Sequence, residues 1–236
     1  MKGWFVTGTD TGVGKTLIAS GMAASLVKAG FEVAVMKPVA AGCVVKDKNN
    51  VWEDVEALSS VASVKGPIRF RNPYRFQDAV APHLAAEKMG VKMQLDVVMK
   101  ALTYLGERSD FVVVEGVGGM AVPFNDSLTM ADIAQAMDLP VIMVVGLRIG
   151  CLSHALLTYE AIVSRGLEFS GWVPNILDPE MSLIEENIEA LSTRFAQPPL
   201  ICVPRLRNPI AQSFVDLVER IPPSHEDNFM CRLKVF

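Results

Sequence analysis

The apolar positions of this chain fall into two alternating kinds of run. Short continuous stretches, such as Trp4-Phe5-Val6, Phe31-Glu32-Val33-Ala34-Val35-Met36, Phe111-Val112-Val113-Val114 and Leu139 to Leu147, read as strands buried on both faces. Between them, apolar residues recur at helical spacing. The sets are Leu17, Ile18, Met22, Leu26 and Ala29; Leu95, Val98, Leu102 and Leu105; Leu156, Leu157, Ile162 and Val163; Ile184, Ile188, Leu191 and Phe195; and Phe214, Leu217, Val218 and Ile221. Gly30 and Gly166 read as helix stops, while Phe169 to Val173 and Leu200 to Val203 complete the strands. Regular alternation of this kind predicts an α/β fold, a mostly parallel sheet with helices on both faces. Residues 39–52 and 67–83 lack either period and read as loops, the second shaping a pocket with Asn72-Pro73-Tyr74 and Ala81-Pro82-His83. No repeat or linker interrupts residues 1–221, which read as a single domain; residues 222–236 form a tail whose order the pattern leaves open.

Composition narrows the function classes. A chain of 236 residues, half of them hydrophobic and a fifth charged, is large enough for one full α/β core. Its net charge of −4 argues against a general nucleic-acid surface, which needs a basic face. Cys43, Cys151, Cys202 and Cys231 are scattered without a paired motif, as in a reduced protein; Cys151 and His154 alone make a weak metal site. The apolar run from Leu139 to Leu147 is far shorter than a bilayer span, and Met1-Lys2-Gly3 leads straight into the first strand. A cytoplasmic protein with no membrane partner is expected.

Candidate chemistry begins at Gly8-Thr9-Asp10-Thr11-Gly12-Val13-Gly14-Lys15-Thr16, between the first strand and the first helix. A loop that wraps a phosphate points backbone N–H groups inward, and the following helix adds its own unpaired donors. Lys15 is placed to reach the outer phosphates and the Thr16 hydroxyl to meet magnesium. Five residues separate Gly8 from Gly14 where the usual motif has four, so either the loop is one residue longer or Thr9 takes the first position. Lys37 ends the second strand ahead of Pro38, at the sheet edge where ligands bind. Asp54 reads either as a helix N-terminal carboxylate or as a magnesium ligand. Glu115 ends a buried strand, where an acid holds magnesium directly or through water, and Gly116, Gly118 and Gly119 let the backbone pass close to a ligand. Ser153 is a candidate N-cap, and His154 beside it reads as structural.

Taken together, these stretches resemble the dethiobiotin synthetase family. The likeness is carried by Gly8 to Thr16, Lys37-Pro38-Val39, Asp54, Asn72-Pro73-Tyr74, Pro82-His83, Glu115 to Gly119, Gly150 to Ala155 and Gly171 to Asn175, and it covers nearly the whole chain. The longer phosphate loop is a family trait. The resemblance implies a P-loop NTPase-like fold and ATP-dependent ring closure of 7,8-diaminopelargonic acid with carbon dioxide. It implies that ATP is held by Gly12, Val13, Gly14, Lys15, Thr16, Leu17, Asp54, Glu115, Gly116, Val117, Gly118, Asn175, Ile176, Pro204, Arg205 and Leu206. Magnesium falls to Thr16, Asp54 and Glu115, and the catalytic lysines are Lys37 and Lys15. Substrate falls to Thr11, Lys37, Gly150, Cys151, Leu152 and Ser153, the last four serving the other subunit of a homodimer. The chain departs from the family in carrying Ala41 where many members have Ser or Thr, Gly12 where some have an acid, and an unmatched tail. The alternatives are another ATP-dependent amide- or ring-forming ligase on this fold and a partitioning-type ATPase switch. The switch proteins place a second lysine early in the loop, where this chain has Thr9-Asp10-Thr11.

Overall fold

The computed structural model describes residues 1–222 and 225–235. In chain order the elements are β1 (Lys2–Gly8), α1 (Lys15–Lys28), β2 (Val33–Met36), β3 (Val39–Ala41), β4 (Val44–Lys46), β5 (Asn49–Val51), α2 (Glu53–Val61), α3 (Ile68–Arg71), β6 (Tyr74–Phe76) and α4 (Pro82–Lys88). They continue with α5 (Leu95–Gly106), β7 (Phe111–Glu115), α6 (Met130–Met137), β8 (Val141–Leu147), α7 (Cys151–Val163), β9 (Phe169–Ile176), α8 (Ile184–Phe195), α9 (Ala211–Val218) and α10 (Phe229–Arg232).

Five strands form one parallel sheet in the order β2-β7-β1-β8-β9. Successive side chains of a strand point to opposite faces, so each apolar run divides between two cores. Phe5, Val112, Val114, Met143 and Val145 face the core covered by α5, α6, α7 and α8. Trp4, Val6, Val113, Ile142 and Val144 face the core covered by α1, α9 and α10. Burial on both faces is why these strands read as unbroken apolar runs. β2 follows β1 in sequence, yet β7 lies between them, with Val6 opposite Glu115 and Val35 opposite Val113. That register sets Glu115 beside the start of the phosphate loop.

The two stretches without periodicity are more ordered than their sequence indicates. β3 and β6 pair in parallel, and β4 and β5 form a hairpin turning at Asp47 and Lys48, both with positive φ. α4 and α6 also form where the pattern gave no helix. In the other direction, Leu200 to Val203 does not form a strand: it meets β9 through the Leu200 N–H, which donates to the Trp172 carbonyl at 2.8 Å, and through an isolated bridge from Val203 to Asn175. Pro198, Pro199 and Pro204 flank it and have no N–H to extend a ladder. Ser153 is not a cap either, because α7 starts earlier, with Gly150 at its N-cap in the left-handed region (φ 91°). Ile221 lies beyond α9, which ends at Val218. Within the tail, Phe229, Met230 and Leu233 are buried in the α1–α9 core.

Candidate active site

The candidate residues meet at the carboxyl edge of the sheet. β1 ends at Gly8, and the loop turns into α1 through Gly14, whose φ of 98° and close contact with Asn175 both exclude a side chain; a Cβ there would sit 2.3 Å from Asn175 Nδ2. Asn175, at the end of β9, donates that amide to the Val13 carbonyl at 2.9 Å and so braces the loop from the far side. Lys15 folds back along the loop and donates to the Asp10 carbonyl at 2.7 Å.

Glu115 is the centre of the site. Its side chain is 1% exposed, and one oxygen, Oε1, accepts from both Thr16 Oγ1 (2.9 Å) and Lys37 Nζ (2.5 Å). Lys37 is buried as well and also reaches Asp54 Oδ2 at 2.8 Å. Four elements therefore deliver one cluster: α1 brings Thr16, β2 leads to Lys37, α2 carries Asp54 in its first turn and β7 ends in Glu115. Lys37 is held at its backbone too. Its N–H donates to Arg71 O (2.7 Å), and its carbonyl accepts from Asn72 Nδ2 (2.6 Å). The loop containing Asn72-Pro73-Tyr74 thus fixes the lysine, and further along the same stretch Ala79 lines a cleft with Thr16 and Asp54.

A lysine buried to this degree is costly unless paired. Burial by itself would lower the Lys37 pKa, but Glu115 and Asp54 outweigh it and hold the ammonium above its ordinary value. Lys15 goes the other way. Burial and the neighbouring Lys37 charge pull it down to about 8, against the opposing pull of Glu115, Asp10 and Asp54. The donor atoms suit a hard cation: two carboxylates and a hydroxyl, with Glu115 Oε2 buried and without a partner. Among the described residues no three His, Cys, Asp or Glu side chains gather, so a cation here has to complete its shell with phosphate oxygens or water.

Two clefts flank the phosphate loop. One, of about 550 Å³, is lined by Thr16, Asp54, Gly42 and Cys43. The other, of about 440 Å³, is lined by Asp10, Thr11, Gly118 and Val122. Gly116 and Val117 continue from β7 between them, with Gly116 N–H bonded to the Val6 carbonyl at 2.9 Å. A third cleft of about 560 Å³ lies around Lys2, Trp4 and Phe111, at the opposite edge, and holds none of the candidate residues. Ala41 ends β3 next to the first cleft.

The structure does not bring every candidate into the cluster. Ile176 and the Pro204-Arg205-Leu206 segment lie beside the end of β9, where Ile176 N–H donates to Val203 O at 2.9 Å and Arg205 donates to Leu177 O at 3.3 Å. Leu17 points into the α1 core. Gly150, Leu152 and Ser153 are exposed on the turn into α7, Cys151 is buried beneath them, and none bonds to Lys15, Lys37, Asp54 or Glu115 among the described residues. Sequence reasoning missed Asp10 and Arg148, which form an ion pair between the phosphate loop and that turn. They lie 138 residues apart, and only the β1–β8 pairing brings them together.

The family model described as an AAA domain matches residues 2–213. The ATP-dependent dethiobiotin synthetase BioD of Janthinobacterium sp. (strain Marseille) is 46% identical over 210 residues, covering 87% of this chain and 89% of that protein. Proteins of the same description from Nitrosospira multiformis and Ralstonia nicotianae are 41% and 43% identical, over 92% and 90% of this chain and 95% and 94% of their own lengths. Among solved structures, the MinC:MinD cell division protein complex of Aquifex aeolicus superposes with a TM-score of 0.59 at 15% identity, over 100% of this chain and 95% of that one. A ParA family ATPase from Chlorobium tepidum gives 0.54 at 13% identity, over 99% and 98%. At such low identity these structures show a shared fold, that of the P-loop ATPases. Sequence identity above 40% across about nine-tenths of both chains carries more: this chain belongs to the ATP-dependent dethiobiotin synthetase family.

Proposed function

We propose that this protein is the ATP-dependent ligase that closes 7,8-diaminopelargonic acid and carbon dioxide into dethiobiotin, a step of biotin biosynthesis. The observation that carries the reading is the buried Lys37, held by Glu115 and Asp54 beside Thr16 of the phosphate loop. A nucleotide-binding loop needs Lys15 and Thr16; a second buried lysine aimed at the same place serves a second anion. One unprotonated amine of the substrate adds to carbon dioxide, giving a carbamate and releasing a proton. The carbamate oxygen attacks the γ-phosphorus of ATP and ADP leaves. The other amine then attacks the carbonyl of the resulting carbamic–phosphoric anhydride, closing the ring as phosphate departs.

Phosphoryl transfer of this kind depends on positioning and charge neutralisation rather than covalent help from the protein. Lys15 meets the outer phosphates, and Lys37 meets the carbamate and the group being transferred. Thr16, Asp54 and Glu115 hold magnesium, which when bound neutralises phosphate charge. Asn175, Ile176 and Pro204 to Leu206 border the adenine, while Thr11 and Gly116 to Gly118 border the reacting groups. Backbone N–H groups of Gly150, Leu152 and Ser153, at the N-terminus of α7, take the carboxylate of the substrate bound by the other subunit of a homodimer, with the Cys151 N–H holding the turn through the Arg148 carbonyl. The protein works in the cytoplasm; no helix among the described residues is long and apolar enough to cross a membrane.

Phosphate release from Mg-ATP and bicarbonate, with and without the diamine, tests the reading when product mass is followed alongside. The expected result is diamine-dependent release with dethiobiotin as product; diamine-independent hydrolysis, or none, rejects it. Lys37→Ala is expected to lower turnover far more than ATP affinity. Comparable losses in both assign Lys37 to nucleotide binding instead.

A further inference from the structure

Three groups converge on Asp10, the third residue of the phosphate loop. Its Oδ1 accepts the Thr11 N–H at 2.7 Å, its carbonyl accepts the Lys15 ammonium at 2.7 Å, and its Oδ2 accepts the Arg148 guanidinium. Arg148 is the first residue after β8, and its carbonyl accepts the Cys151 N–H at 3.0 Å, closing the turn through Gly150 into α7. β1 and β8 run side by side as far as Gly8 and Val144, and Thr9 N–H adds one more bond to the Val144 carbonyl at 3.0 Å. Beyond that point Val13 lies against Gly146 of β8, where a Cβ would come within 2.9 Å of it, and the Asp10–Arg148 pair links the phosphate loop to the turn into α7.

Stability does not account for this pair. The two side chains are 41% and 46% exposed, and ion pairs so exposed contribute little to folding. The placement does account for it. One partner holds Lys15 and the backbone of the phosphate loop; the other belongs to the turn that presents Gly150 to Ser153.

We propose that Asp10 and Arg148 are positioning residues, a latch that fixes the Gly150–Ser153 turn against the phosphate loop. The inference rests on the carboxylate site assigned to that turn above. Because the turn serves the substrate held by the other subunit, the latch ties the nucleotide loop of each subunit to the substrate of its partner. With the pair intact, the carboxylate donors keep a set position against their own subunit's phosphate loop, and the substrate that reaches them from the other subunit meets them in register.

Arg148→Met, Asp10→Asn and the double variant test the latch; asparagine at 10 keeps an acceptor for Thr11 N–H while removing the charge. Each single variant is expected to raise KM for the diamine about three- to fivefold, the range open to an exposed charge pair, with kcat and melting temperature nearly unchanged. The double variant is expected to match the singles, as coupled partners do. Arg148→Lys should recover most of the loss, and raising salt should bring the wild type toward the variants. Amide exchange at 149–153 should be faster in both single variants, a readout that needs no turnover. Additive losses overturn the latch. So does impairment by Arg148→Met alone, which would mean that Arg148 binds a ligand directly, and so does unchanged exchange in the turn. A wild type without diamine-dependent turnover removes the proposed function, while exchange and binding of a non-hydrolysable ATP analogue still decide whether the two loops are latched.

Discussion

Lys15 and Lys37 share one buried neighbourhood and are driven in opposite directions. Lys37 bonds to two carboxylates and keeps its proton firmly; Lys15 bonds to a neutral carbonyl and is left with the cost of burial and the repulsion of Lys37. A Lys15 pKa of about 8 in the protein alone has a consequence for nucleotide binding. Phosphate prefers the protonated lysine, so the pKa in the complex is higher than in the free protein. Affinity is therefore full below about pH 8 and falls as pH rises from the free value toward the bound one, by at most about tenfold per pH unit. Titrating a fluorescent ATP analogue between roughly pH 7.5 and pH 9.5 measures the slope, with Lys15→Met as the flat control. A wild-type profile as flat as the control's removes Lys15 from the phosphate contacts or its pKa from this range.

At the scale of elements, α6 shows how a short helix is fixed at its start. Met130, Ala131, Ile133, Ala134 and Met137 are buried at helical spacing, with Asp132 and Gln135 on the other face. A capping box starts it: Asp132 Oδ2 accepts from both the N–H and the hydroxyl of Thr129, each at 2.6 Å. Its other oxygen accepts from Arg165 at 2.5 Å, beyond the end of α7. The Thr129 hydroxyl, then its N–H, then Arg165 hold the Asp132 carboxyl down to about 2. A depressed acid pKa stabilises the fold above the unfolded value of 3.8 and loses that contribution as pH falls toward about 2. Asp132→Ala is thus expected to cost about 1 kcal/mol at neutral pH, the usual worth of a cap, and progressively less below pH 4 in urea unfolding. An equal cost at pH 7 and at about pH 2.5 would show that side-chain packing, not the charged cap, is what was lost.

The same element explains what the sequence could and could not disclose. β1, β7 and β8 were legible because burial on both faces leaves continuous apolar runs, and with them came Lys15, Thr16 and Glu115 at their ends. α6 was not, because a helix of eight residues shows its period over only about two turns. Neither were β3, β6 and the β4–β5 hairpin, three-residue strands that are partly exposed and carry too few positions to alternate. Lys37 and Glu115 could each be placed at a strand end, but their contact depends on β7 entering between β1 and β2. Asp10–Arg148 depends on strand order in the same way, and a charge on a loop has no periodicity that would announce its partner.

For the molecule as a whole, the sheet divides two cores of different make-up, and the one behind the phosphate loop is closed by the end of the chain. α9 packs on α1 at Gly21, where a Cβ would meet the Phe214 ring at 2.4 Å, and α10 then covers Phe214. Phe229 is 1% exposed and stands edge-on to Phe214 with centroids 5.2 Å apart. Asn228, itself buried, caps α10 through Met230 N–H at 2.9 Å and donates to the Val218 carbonyl at the end of α9. These contacts make Phe229, Met230 and Leu233 part of the core although the sequence left the order of the tail open. The family model matches residues 2–213 and does not reach Phe214 or α10. Phe229→Ala removes a ring that nothing else can replace, and truncations of this kind cost about 3–5 kcal/mol. For a chain of this size that corresponds to a melting temperature lower by roughly 10 °C. Nucleotide affinity at room temperature should survive, because the phosphate loop, Glu115 and Asn175 are anchored by the sheet and not by α10. A melting temperature within about 2 °C of wild type would mean that the chain end contributes less than 1 kcal/mol and that the core closes without it.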